Sequence, residues 1–274
     1  MISRFAPALA LILTLPAPLL IAQEGPPRDN PYDVIGKVFS PFWSVLLADT
    51  KSPNKACTMT IEMVDVSGRL PKQMAGASLQ AAVQFPDKVK LQAPVLGEQI
   101  TVCRNGDKVW AYPGAKVEFL LKRFKGKPPP TKKNTPLYLP ITPQQAIFLP
   151  ALFTVARADV AEIETFNGED CRVITAGLMP ELARAAKAEG FRARIWVAPG
   201  YFPRRIEITQ PDFVALTDIK DLRFSPALPA STWQPPADVT DIYWTDSDKL
   251  DAVLFVVMNS LKMKEGDAPW LQLK

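Results

Sequence analysis

The run FPDKVKLQAPVLGEQITVCRNGDKVWAY, from Phe85 to Tyr112, is the feature that most constrains the fold of this chain. Successive strand side chains point to opposite faces, so Val89, Leu91 and Ala93 fall on one side and Lys88, Lys90 and Gln92 on the other. Gly97 and then Asn105-Gly106 punctuate the run. The Asn-Gly pair predicts a tight type I′ hairpin turn, which needs positive φ at both central residues. The stretch therefore reads as an antiparallel meander, and it contains no catalytic group.

The same alternation recurs on both sides of it. Cys57, Met59, Ile61 and Met63 oppose Thr58, Thr60 and Glu62, with a phase shift at Val64-Asp65-Val66 that predicts a β-bulge. Ala77 to Phe85 feeds a second strand, expected to continue through Lys90 with a bend at Pro86. Ala161 to Phe166 and Asp170 to Thr175 form a hairpin about Asn167-Gly168. Phe191, Ala193, Ile195 and Val197 alternate with Arg192, Arg194 and Trp196; Pro199-Gly200 turns the chain, and Ile206 and Ile208 return on the inward face. Phe213 to Phe224 continues that second meander.

Helical spacing is confined to a few segments. Tyr32 to Ala48 is apolar at helical intervals and is divided by Pro41, which predicts two short pieces or a kink. Thr142-Pro143-Gln144-Gln145 reads as a helix start, and Pro180 to Glu189 as a short helix stopped by Gly190. Thr245 to Asp248 fits a capping box ahead of Leu250, Val253, Leu254, Val257, Met258 and Leu261, one apolar face of a C-terminal helix expected over 247–264.

The first 22 residues, with Arg4 as the early charge, an apolar run to Ile21 and a small residue at Ala22, read as a signal peptide. A polar leader over 23–31 follows, and 32–274 is taken as a single domain. Gln23, not Cys, follows the expected cleavage point, so a periplasmic or secreted, unanchored monomer is expected. No later stretch approaches the roughly 20 apolar residues of a membrane span. Cys57, Cys103 and Cys171 lack a CxxC spacing; one structural bridge or three buried thiols both fit. Lys122, Arg123, Lys125, Lys127, Lys132 and Lys133 surround Pro128-Pro129-Pro130 and predict an exposed basic loop, either merely solvated or in contact with anionic headgroups or an acidic partner.

The chain has 47 % hydrophobic residues, a net charge of +4 and no histidine, a composition that suggests neither disorder nor nucleic-acid binding. Without histidine, most acid/base catalysis, hydrolase triads and transition-metal sites lose their usual central group. No GxSxG, SxxK, P-loop or GxGxxG motif stands in its place. Asp246, Asp248 and Asp251 lack an EF-hand frame, and the first two are better explained by helix-start electrostatics. The expectation is a binding protein, not an enzyme, with no metal or cofactor.

The P-D-K-V-K-L run from Pro86, Gly97-x-x-Ile100-x-Val102, and N-G-D-K-V-W-A-Y-P from Asn105 to Pro113 together resemble the LolA-like superfamily of periplasmic outer-membrane lipoprotein carriers. The hairpin FRARIWVAPGYFPRRIEI from Phe191 and the Trp233-Gln234-Pro235-Pro236 segment are similar to the way such chains close. The resemblance implies an α+β, β-rich fold: a strongly curved antiparallel sheet, an incomplete barrel, with helices covering its concave side. It further implies an apolar cavity for lipid acyl chains or lipoproteins. Candidate lining residues are Met59, Ile61, Met63, Val89, Leu91, Ile100, Val102, Ile195, Val197, Ile206 and Ile208, with Trp110 at a cavity mouth. The alternative is a non-enzymatic interaction or regulatory module of the cell envelope, with the same fold and a cavity filled by its own side chains.

Overall fold

The computed structural model describes residues 30–46, 53–123, 153–157, 163–186 and 188–260. The expected signal peptide and leader, the helix expected from Thr142, and Lys125, Lys127, Lys132 and Lys133 lie outside them. The first element, α1 (Pro31–Leu46), starts where Asn30 caps it: its side-chain oxygen accepts from the Tyr32 amide at 3.0 Å, and its carbonyl accepts from Val34 at 3.1 Å. Pro41 lies inside one continuous helix, so of the two alternatives expected there the chain does not form two separate pieces. Pro41 withholds a single amide, and burial of Val34, Ile35 and Val38 before it and Val45 after it holds both halves in one element.

Among the described residues twelve strands follow: β1 (Ala56–Gly68), β2 (Ser78–Gln84), β3 (Lys88–Val95), β4 (Glu98–Asn105), β5 (Lys108–Tyr112), β6 (Phe153–Arg157), β7 (Ile163–Phe166), β8 (Glu169–Leu178), β9 (Arg192–Ala198), β10 (Phe202–Gln210), β11 (Phe213–Ser225) and β12 (Tyr243–Asp246). They make one antiparallel sheet in the order β12-β5-β4-β3-β2-β1-β11-β10-β9-β8-β6, with β7 also on β8. Among the described residues the sheet is not closed into a barrel. Two meanders, β1 to β5 and β8 to β11, are joined by the long β1–β11 ladder, whose register shifts between Met63 and Asp65, where the bulge was expected.

Two turns differ from expectation. Phe85 to Asp87 reverses the chain between β2 and β3, which pair antiparallel, so the second strand does not run on through Lys90. In the β4–β5 hairpin, Asn105 stays in the ladder opposite Lys108, and Gly106 alone has positive φ (64°). The pair of positive-φ residues occurs at Leu96 (53°) and Gly97 (79°), between β3 and β4, and again at Asn167-Gly168.

The remaining helices are α2 (Gly114–Arg123), α3 (Pro180–Ala186) and α4 (Leu250–Ser260), the last preceded by a 3-10 turn at Ser247–Lys249. Asp241, distant in sequence, caps α2: its backbone and side-chain oxygens accept from the amides of Gly114 and Ala115, both at 2.9 Å. A Cβ at position 114 would lie 2.6 Å from the Tyr243 nitrogen, so only glycine allows this approach to β12. Lys122 and Arg123, placed by the sequence reading in a loop, form the last turn of α2, where cations favour the helix dipole.

Cross-strand partners show that α1, α2 and α4 share one face of the sheet. Ala111 faces Val102, Val102 faces Leu91, Leu91 faces Ala81, and Ala81 faces Met59. Two and four residues along β1, Ile61 and Met63 keep that face, and Met63 leads through Thr217, Ile206 and Ile195 to Ile174. At one end of this face α2 and α4 bury Val117, Leu120, Val253 and Val256 against Val95, Ile100, Val102 and Val109. At the other, α1 buries Val34, Ile35 and Val38 against Ile174, Ala176, Ile195 and Val197.

The opposite face has smaller clusters. Trp110 and Cys103 lie beneath Trp233, and Cys171 and Val173 pack with Trp196. Around the latter the face is charged: Arg205 grips Asp218 with two bonds, at 2.7 and 3.2 Å, and Arg204 grips Glu169 at 2.7 and 3.0 Å. Asp218 is buried through this pairing. All three cysteines are buried and free.

Candidate ligand cavity

Between its two covered ends the helix-bearing face is open among the described residues. Met59, Ile61 and Met63 of β1, and Leu79, Ala81 and Val83 of β2, are half-buried there, whereas Ile100 and Val102 two strands away are at most 2 % exposed. A cavity of about 460 Å³ lies on this strip. Ile61, Met63, Leu79 and Ala93 contribute the sheet side of its lining. The volume falls within the range typical of small-molecule sites, roughly 300–1,000 Å³.

Three segments form the rim. The first is the loop around the 3-10 turn Lys72–Met74, which brings Gln73 and Met74 over β1. It is tied down where Gly76 donates to the Met63 carbonyl at 2.6 Å and Met63 donates back to Ala77 at 2.8 Å. The second is the Leu96-Gly97 turn, whose left-handed backbone turns Leu96 against the α2–α4 cluster while it also lines the cavity. Lys116 of α2, its side chain 11 % exposed, donates to the Leu96 carbonyl at 3.3 Å and pairs with Glu98 at 2.8 Å. The third is the end of α4 at Ser260, whose hydroxyl donates to the Val256 carbonyl at 2.8 Å.

Of the residues singled out from sequence, Ile61 and Met63 line this cavity, and Met59 sits beside them on the same strand face. Val89 packs against the α2–α4 cluster, and Leu91 is half-buried between it and the strip. Ile100 and Val102 form closed core beneath α2 and α4. Ile195, Val197 and Ile206 pack under α1, with Ile208 half-buried one step along β10. Trp110 lies on the opposite face, 1 % exposed, its indole N–H donating to the Trp233 carbonyl at 2.9 Å.

Met74, Leu79, Leu96 and Ser260 were missed. Leu79 was legible, since it continues the alternation of β2. Leu96 before Gly97 carries the weak signal of a positive-φ turn. Met74 in a loop and Ser260 at the far end of the chain reach the site through tertiary contact, which periodicity does not encode.

The side chains that line the cavity are mostly apolar. The described residues hold no group of three or more acidic or cysteine side chains arranged for a metal. The thiols are withdrawn from reaction, because burial pushes Cys57 up to about 11 and Cys103 up to about 12, and raises Cys171 as well. No described helix is long and apolar enough to cross a membrane.

No family model and no curated protein matches the sequence. Among solved structures the chain is similar to lipoprotein LppX of Mycobacterium tuberculosis, with 11 % identity over 73 % of this chain and 97 % of that one and a TM-score of 0.39. LprF of Mycobacterium bovis shares 8 % identity over 78 % and 100 % of the two chains, with a TM-score of 0.38. A LolA superfamily protein from Nitrosomonas europaea shares 11 % over 72 % and 96 %, with a TM-score of 0.27. The solved structures that this chain is similar to thus include a LolA-superfamily protein and a mycobacterial lipoprotein.

Proposed function

We propose that the protein binds the acyl chain of a lipid or of a lipidated protein in the cavity over β1 and β2, as a non-enzymatic carrier of the cell envelope. The observation that carries this reading is the strip of half-buried Met59, Ile61, Met63 and Leu79 left between two helix-covered ends of one apolar face. Contiguous apolar surface of this kind is seldom left to water, and a concave one suits a ligand. At about 30 Å³ for each small group, the cavity has room for roughly fifteen methylenes. The two methionines add unbranched, adaptable side chains that suit a flexible chain better than a rigid one.

The test is uptake. The full chain, produced in a bacterial envelope and analysed by native mass spectrometry with organic extraction, is expected to carry acyl lipid in a fixed ratio and to take up a fluorescent fatty-acyl probe. Ile61→Trp with Leu79→Trp fills the floor and should abolish probe uptake while the fold remains. Absence of both bound lipid and uptake in folded wild-type protein defeats the proposal.

A further inference from the structure

The opposite face of the same three strands holds a second recess, of about 180 Å³, with a different chemistry. Its floor follows from the register. Ala82 faces Thr58 on one side and Lys90 on the other, and in the next row Gln80 faces Thr60 and Gln92. Facing residues in such a ladder stand about 5 Å apart, so the methyl of Ala82 leaves a notch in a ring of longer polar side chains. Gln92 already donates to the Thr101 hydroxyl at 3.1 Å, which keeps its amide oxygen available as an acceptor.

The ends of the recess carry opposite charges. Lys90 places its ammonium 5.8 Å from the centroid of Trp110, a ring immobilised by burial and by its bond to Trp233. At the other end, Asp221 projects from an irregularity in β11. Thr58 faces Arg223 and Thr60 faces Lys220, so Asp221 and Leu222 together oppose Met59, and Asp221 takes a left-handed φ of 53°. Neither Lys90 nor Asp221 forms a salt bridge among the described residues. Three strand spacings, about 14 Å between backbones, separate β3 from β11, and Lys90 and Asp221 line the two ends of the recess.

We propose that this recess is a binding site for a small zwitterion of amino-acid size, its carboxylate toward Lys90 and its ammonium toward Asp221, with the hydroxyls and amides of Thr58, Thr60, Gln80 and Gln92 between them. It lies on the face opposite the acyl cavity and stands or falls without it.

Calorimetric titration of the full chain with γ-aminobutyrate and with glycylglycine, against acetate and methylamine as single-charge controls, tests the site. At least one zwitterion should bind and both controls should not. Lys90→Met and Asp221→Asn should each weaken binding about tenfold or more, the loss expected for one charge-assisted hydrogen bond. Ala82→Leu, which fills the notch, should abolish binding in protein whose melting temperature shows that it is folded. Failure of both zwitterions to bind at millimolar concentration overturns the proposal. So does acetate binding equal to theirs, or zwitterion affinity unchanged in Lys90→Met and Asp221→Asn.

Discussion

Ile100 on β4 and Ile61 on β1 belong to the same face of the same sheet, and each alternates with polar neighbours, yet one is 1 % exposed and the other half-buried beside a cavity. The difference lies above the strands. Ile100 has α2 and α4 over it, brought from residues 114–123 and 250–260, while Ile61 belongs to neither helix-covered cluster. Alternation decides which side a residue faces; the covering element decides whether that side is core or site.

This contrast can be broken by experiment. Leu120→Ala, at a fully buried contact of α2, should cost about 2–5 kcal/mol by urea unfolding. If the loss is as small as that at Ile61, the covered end is not closed as described. On the other face, Arg205→Leu leaves the Asp218 carboxylate, 12 % exposed, without its two-bond partner. A loss of about 2–3 kcal/mol is expected, since the abandoned carboxylate bears most of the cost. Asp218→Asn in the same background should recover part of it, and no recovery would mean that the pair contributes packing alone.

A milder effect concerns pH. A thiol in the unfolded chain loses its proton near 9.0, whereas Cys57 and Cys103 hold theirs up to about 11 and about 12. Above pH 9 the unfolded state therefore binds fewer protons, so this contribution is full below pH 9 and is lost as pH rises toward 12. Urea midpoints at pH 8 and pH 10 should show the decline, and a double Cys57→Ala, Cys103→Ala variant should show less of it. Smallest is Ile61→Ala, which should cost only about 1 kcal/mol because the side chain is already half out of the core. Its larger effect should be on uptake of the acyl probe, and a reversal of that order would place Ile61 in the core.

Much of the sheet was legible because its strands obey a period of two: β3, β4, β9 and β10 fall where Val89, Ile100, Ile195 and Ile206 put them. The bulge after Met63 was legible from a slip in that phase. Two turns were misread: Phe85 to Asp87 was taken as a bend within one strand, and the positive-φ pair was assigned to Asn105-Gly106. Asn105 remained in the ladder, and Leu96, which no propensity favours at positive φ, took the left-handed position under the hold of Lys116. Strand β12 and helix α2 went unseen because each depends on the other: Asp241 caps the helix, and Gly114 lets it rest against Tyr243. For the candidate site, the face of Ile61 and Met63 could be read, but not the loop of Met74 or the reach of Ser260 that turns a face into a cavity.

The ladder between β1 and β11 also sets an order of events. Strand β1 can pair with β2 as soon as residue 84 is made, but its other edge has no partner until residues 213–225 exist. The helix that closes over β4 comes later still, at Leu250–Ser260. During synthesis the first meander must therefore persist as an uncapped sheet with a free edge, the kind of intermediate most prone to pairing with another chain. A chain cut short before β11 should thus aggregate rather than fold, and the whole molecule should mature only when its last quarter arrives.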